Sequence, residues 1–186
     1  MRNDWISPWW QAACLPDQWD VCGISVPSLT VWHTFALEQL GNPYLCGGPI
    51  DKDAATSLLL IASLDMAGGR RLFLSDRFRA RRTARIIRTL KRIPIDRVHD
   101  ACSEYVESCT RGISRWQKGG GKACAVPYQW HIVARLGAAA WDQSYAQARC
   151  MCDAMAEQAG DDSIMSPAAQ EMEDNWDKHL ESIGVN

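Results

Sequence analysis

Residues Ser28–Ala67 hold two consecutive stretches with little polar surface. A helix that is apolar on most sides has to be buried, so the rest of the chain must pack around this pair. In the first stretch Leu29, Trp32, Ala36, Leu37 and Leu40 recur at three- and four-residue spacing, which is one face of a helix. Val31 and Phe35 add a second apolar strip on another side. Ser28, after Pro27, is the expected N-cap, since its hydroxyl can accept from a free amide of the first turn. Gly41 is the expected stop and Asn42-Pro43 the expected turn. Asp51 or Asp53 then opens a second helix, apolar without a break over Leu58–Ala62 and ending at Gly68-Gly69. That run is far shorter than the roughly 20 residues that cross a bilayer, so it predicts a buried helix and no membrane span.

The first 27 residues have no such period. Three prolines and four tryptophans predict an extended arm with short turns. Trp9 and Trp10 are candidate partner-binding residues, because no helical face claims them. The competing reading lays the arm's tryptophans on its own domain. A length of 186 residues fits one domain, here 28–186, with the arm at 1–27. The start of the chain has no apolar region after its charge, so no secretory signal is expected. Eight cysteines without a C-x-x-C pair predict reduced, buried thiols in a cytoplasmic protein, with no metal and no cofactor.

Charge is unevenly spread although the net charge is only −2. Arg70–Arg92 holds ten cations, half of those in the chain, against Asp76 alone. At 100° per residue, Arg77, Arg81, Arg85, Arg88 and Arg92 share one face. Ala80, Thr83, Ile86, Ile87 and Leu90 share the other, so the stretch predicts one amphipathic basic helix. Such a stripe is either a solvated face or a nucleic-acid contact. No glycine-rich phosphate loop and no interleaved aromatics accompany it, which weighs against nucleic acid.

Pro94 ends this helix. Val98, Cys102, Tyr105, Val106, Cys109, Ile113 and Trp116 then continue the helical spacing, with the two cysteines on the core side. Residues 117–122 form a glycine-rich loop without P-loop spacing. Pro127 opens a helix whose expected stripe is Trp130, Val133, Ala134 and Leu136. Asp142 is the expected cap of the next, with Tyr145, Ala148, Cys152, Met155, Ala156 and Ala159 as its stripe. Ser166-Pro167 starts a last one, striped by Met172, Trp176, Leu180 and Ile183. From Asp153 to the end, nine acidic residues face one lysine, a net charge of −8.

No catalytic constellation emerges. His33 reads as a core histidine, and His99, His131 and His179 fall on separate helices. A cysteine nucleophile such as Cys46 with His131 has no local signature behind it.

The stretch "SLTVWHTFALEQLGNPYLCGG", followed by an apolar helix, resembles the opening of tail-assembly-chaperone-like proteins of tailed bacteriophages and prophages. "VPYQWHIVARLG" and "ARCMCDAMAEQAGDDSIMS" are similar to their C-terminal half. The resemblance implies a non-enzymatic morphogenesis protein. It would bind hydrophobic tape-measure or tail-tube segments in the host cytoplasm, burying partner helices in apolar grooves. Two alternatives stand beside it: a nucleic-acid-binding or DNA-packaging accessory protein using Arg70–Arg92, and a cysteine-dependent enzyme. The fold expected is all-α, an irregular single-domain bundle of about six or seven helices without strands.

Overall fold

Thr30, two residues beyond the expected Ser28, caps the central helix. In the computed structural model, which describes residues 12–110 and 127–159, that helix is α1 (Val31–Gln39). The Thr30 side chain accepts from the His33 amide at 3.3 Å, and His33 Nδ1 accepts from the Thr30 amide at 3.0 Å. This is a capping box with histidine in the place usually held by Glu or Gln. The Ser28 hydroxyl is used otherwise: it donates to the Pro16 carbonyl at 2.7 Å and accepts from Trp19 Nε1 at 3.0 Å.

The expected all-α fold needs correction. The protein is mostly helical, but part of the expected arm is a β-hairpin of β1 (Gln18–Val21) and β2 (Ile24–Pro27). Trp19 pairs with Val26 and Val21 with Ile24, so one face of the hairpin is apolar. Val21 and Val26 are buried in the main core. Cys22 and Gly23 both have positive φ, 57° and 77°, as a tight two-residue hairpin turn requires. A cysteine at the first turn position hides the usual Asn-Gly or Asp-Gly signal. Asp20 Oδ1 holds the turn by accepting from the Gly23 amide at 2.7 Å. The Tyr105 hydroxyl donates to the Pro27 carbonyl at 2.6 Å, and its ring meets Trp19 edge-on at 5.8 Å. The arm is therefore docked on its own domain from Trp19 onward.

After α1, Asn42 caps the short α2 (Pro43–Cys46), accepting from the Tyr44 amide at 3.1 Å. Its buried Nδ2 donates to the Ala54 carbonyl and the Ser57 hydroxyl, fixing the turn onto α3 (Lys52–Ala62). Asp51 caps α3 as expected. Leu58, Leu59, Ile61 and Ala62 are buried completely or nearly so, and α3 packs against α1, β2 and the two helices described next but one.

The basic stretch is two helices, α4 (Met66–Leu74) and α5 (Asp76–Leu90). Ser75 breaks it, leaving the helical region at φ −136° and ψ 105° and capping α5. Gly68-Gly69 does not end α3, which stops at Ser63, but lies inside α4. Gly69 is there for contact: the Trp32 ring lies where a Cβ would be. Lys52 reaches the far end of α5 and donates to the Leu90 and Ile93 carbonyls at 3.5 and 3.1 Å.

Helix α6 (Ile95–Thr110) buries Val98, Cys102, Tyr105, Val106 and Cys109, as its spacing predicts. α7 (Tyr128–Leu136) departs from the expected face. It buries Gln129, His131 and Ile132, while Trp130 and Ala134 are exposed. A 3-10 turn (Ala138–Asp142) leads to α8 (Tyr145–Ala159), so Asp142 closes the turn instead of capping α8. Tyr145, Ala148 and Cys152 face a second core with Val31, Ile132 and Ala140, whereas Met155 is exposed. The two cores are joined at one seam. The Val31 amide donates to the Gln143 carbonyl, the Tyr145 amide to the Leu29 carbonyl, and the Leu29 amide to Cys109 Sγ.

Trp9, Trp10, Ile113, Trp116, the 117–122 loop, Cys124 and the 166–183 stripe lie outside the described residues.

Candidate binding surfaces

Two surfaces carry features that the core does not explain. The first is aromatic. Phe35 of α1, Trp130 of α7 and Trp141 of the 3-10 turn form a closed triad. Trp130 and Trp141 meet edge-to-face at 5.0 Å, and Phe35 lies 5.5 Å from Trp141 and 6.2 Å from Trp130. Phe35 and Trp141 are half-buried, and Trp130 is 47 % exposed. The triad exists because α7 turns Gln129 and Ile132 inward. Gln129 Nε2 sits 3.4 Å from the Thr34 hydroxyl, on the helix that carries Phe35. Trp130 is thereby held outward on a stacked base. A tryptophan fixed by its neighbours and still open to solvent is the kind of anchor that dominates interfaces, because little rotamer freedom remains to be lost on binding. The helical period alone points Trp130 inward and so misses it. The local clue is Gln129, whose amide finds a buried partner.

The second surface is basic. Arg77, Arg81, Arg85 and Arg88 on α5 are all exposed, as is Arg92 just beyond its end. None of the five pairs with a carboxylate among the described residues, where Arg79 pairs with Asp76. The expected face is therefore present, but it does not lack aromatics. Phe78 lies between the guanidinium groups of Arg71 and Arg82, whose Cζ atoms stand 5.7 and 5.5 Å from its ring centre. Apolar side chains are exposed beside the arginines: Phe73, Leu74 at 85 % exposure, and Ile87. Ile87 belongs with Ala80 and Ala84 to an open strip next to the arginine strip, whereas Ile86 and Leu90 point to the core.

The thiols fall into two groups. Cys102, Cys109, Cys150 and Cys152 are buried. Burial pushes Cys102 up to about 12 and Cys109 up to about 11, so both stay protonated at neutral pH. Cys46 is exposed, with Sγ 3.9 Å from the Glu38 carbonyl, and desolvation with the Glu38 charge pushes its thiol up as well. A nucleophile needs the opposite shift. His131 rests against the Tyr128 ring, and burial holds its basicity below the ordinary value. Among the described residues no group of three or more His, Cys, Asp or Glu side chains is placed to hold a metal ion. No helix among them is long and apolar enough to cross a membrane.

His33 is a core histidine, as its position predicts. Its Nε2 lies 2.6 Å from the Leu64 carbonyl and donates to it, while Nδ1 accepts at the cap. Desolvation keeps the ring neutral.

Comparison with known protein families, curated proteins and solved structures finds no match to this chain.

Proposed function

We propose that this protein is a non-enzymatic morphogenesis protein of a tailed bacteriophage or prophage. It acts in the host cytoplasm as a tail assembly chaperone, holding an apolar segment of a tape-measure or tail-tube protein until assembly. The observation that carries this reading is the triad of Phe35, Trp130 and Trp141. Phe35 belongs to one of the stretches that carry the resemblance and Trp130 to another, and their rings make a single surface feature. A chaperone must present apolar surface that a solitary domain would hide, and a braced, half-open tryptophan does so without loosening the core. Trp9 and Trp10 of the arm are the other candidate partner-binding residues.

The test is co-expression with a tape-measure or tail-tube protein of a tailed bacteriophage. Trp130→Ala with Trp141→Ala should keep the helical circular dichroism and lose capture of the partner. Capture at the native level by a folded double variant would sink the proposal.

A second reading uses the exposed arginines of α5 as a nucleic-acid contact. Binding of that kind is sequence-independent and falls steeply with salt. Gel shifts at physiological salt should therefore show weak retention at most. Tight, sequence-selective binding lost in Arg81→Ala with Arg85→Ala would favour this reading over the first.

A further inference from the structure

The corner between α4 and α5 puts apolar side chains where the core does not use them. Leu72 anchors the end of α4 in the main core, but Phe73 and Leu74 after it are 56 % and 85 % exposed. Among the described residues neither joins a hydrophobic cluster. The corner itself is well built. The Ser75 amide donates to the Arg71 carbonyl at 3.0 Å, and the Ser75 hydroxyl accepts from the Phe78 amide at 3.4 Å. Phe78 is held in turn between Arg71 and Arg82. Phe73 and Leu74 therefore project from a fixed turn.

Cations surround this projection. Arg70 and Arg71 lie one turn before Leu74, and Arg77 comes three residues after it. Arg77 opens a stripe continued by Arg81, Arg85 and Arg88, on the side of α5 away from its core residues Ile86 and Leu90. Asp76 is the single carboxylate of Arg70–Arg92, and it pairs with Arg79.

The apolar corner decides which anionic partner suits these arginines. A nucleic acid meets them with phosphates but takes an apolar wedge only by unstacking its bases, at a cost. An acidic protein segment needs a groove, and a leucine as open as Leu74 stands on a projection. An anionic bilayer supplies phosphates for the arginines and, just beneath them, hydrocarbon for the apolar pair. Stable attachment to a bilayer takes two such signals together, and here they adjoin.

We propose that the α4–α5 corner binds the surface of an anionic phospholipid bilayer. Phe73 and Leu74 enter the boundary between headgroups and acyl chains, while Arg77, Arg81, Arg85 and Arg88 lie against the phosphates. This is attachment to one leaflet, since no helix among the described residues is long and apolar enough to cross. The inference is independent of the chaperone reading, because the aromatic triad is built on other elements.

The test is flotation of the full-length protein with increasing amounts of lipid vesicles at low salt. Vesicles of equimolar phosphatidylglycerol and phosphatidylcholine should carry the protein, and vesicles of phosphatidylcholine alone should not. Arg81→Ala with Arg85→Ala should weaken binding about 25-fold, at about five-fold for each cation near an anionic surface. Phe73→Ser with Leu74→Ser should weaken it at least about ten-fold and leave any retention of DNA unchanged. Leu74→Ser alone, at a position clear of the core, should give part of that loss and keeps the test open if the double variant melts early. Leu74→Trp should tighten binding, because tryptophan favours the interface. No flotation with the anionic vesicles would overturn the proposal, as would equal flotation with the neutral ones. Binding indifferent to both Leu74 changes would overturn it too, leaving the arginines alone to act. Loss of DNA retention in Leu74→Ser would assign the corner to nucleic acid, and a dimer dissolved by Leu74→Ser would assign it to a second copy; either result would also overturn it.

Discussion

Replacing His33 tests the tie between the cap of α1 and the chain just beyond α3. Its ring makes two bonds in opposite directions, Nδ1 accepting from the Thr30 amide and Nε2 donating to the Leu64 carbonyl. His33→Gln can satisfy either partner but not both, so it should cost about 1–2 kcal/mol. His33→Ala loses the cap partner, leaves the Leu64 carbonyl without this donor and opens a cavity, for a total of about 3–5 kcal/mol. The pH dependence gives a second, independent reading. Desolvation lowers the folded pKa below the ordinary 6.5, although the Leu64 contact opposes it. Between the folded pKa and 6.5 the unfolded chain therefore binds more protons than the folded one. The stability from neutral His33 is complete above pH 6.5 and declines as pH falls through that window, by about 1.4 kcal/mol per pH unit for one group. His131 is shifted the same way, so the His33→Gln variant keeps a residual slope of its own. Urea denaturation of wild type and His33→Gln from pH 7.5 to 5 measures the difference. The variant should show the shallower decline. Identical slopes, or an alanine variant within about 1 kcal/mol of wild type, would refute the assigned role.

Four further outcomes are expected. Gly69→Ala should destabilise by about 1–3 kcal/mol through collision with the Trp32 ring, although alanine is the better helix former; thermal melts decide the sign. Leu58→Asp should abolish cooperative unfolding, because a buried carboxylate without a partner costs several kcal/mol (roughly), and the circular dichroism of the purified variant shows it. Asn42→Ala should cost about 2–4 kcal/mol in chemical denaturation, since it removes three bonds around the α2–α3 turn, one of them the cap of α2. Cys102 and Cys109 should resist thiol reagents in the native protein while Cys14 and Cys46 react, as mass-resolved labelling would record.

Periodicity made the buried helices legible. The unbroken run Leu58–Ala62 could only be core, and the spacing from Val98 to Cys109 named the inward face of α6 residue by residue. It failed where contacts distant in sequence decide. Gly68-Gly69 has the look of a helix end, but the space under Trp32 keeps Gly69 inside α4. The hairpin was hidden by four-residue strands and a cysteine at its turn. The helical spacing points Trp130 inward, yet Gln129 takes the buried place by reaching Thr34, and the tryptophan is turned out. The aromatic triad joins residues nearly a hundred positions apart, so no local pattern contains it. The basic face was visible from charge alone, but its break at Ser75 and the exposed strip beside the arginines depend on how α5 seats on α3 and α4 packs against α5.

Site-specific photo-crosslinking distinguishes the aromatic triad from the basic face as the site of partner contact. A photoreactive amino acid placed at position 130, and separately at position 87 of α5, would be irradiated in cells co-producing the tape-measure or tail-tube protein proposed as partner. Position 130 should crosslink to an apolar segment of that protein, and position 87 should not. Crosslinking at position 87 with none at position 130 would contradict it, and would move the partner from the aromatic triad to the basic face.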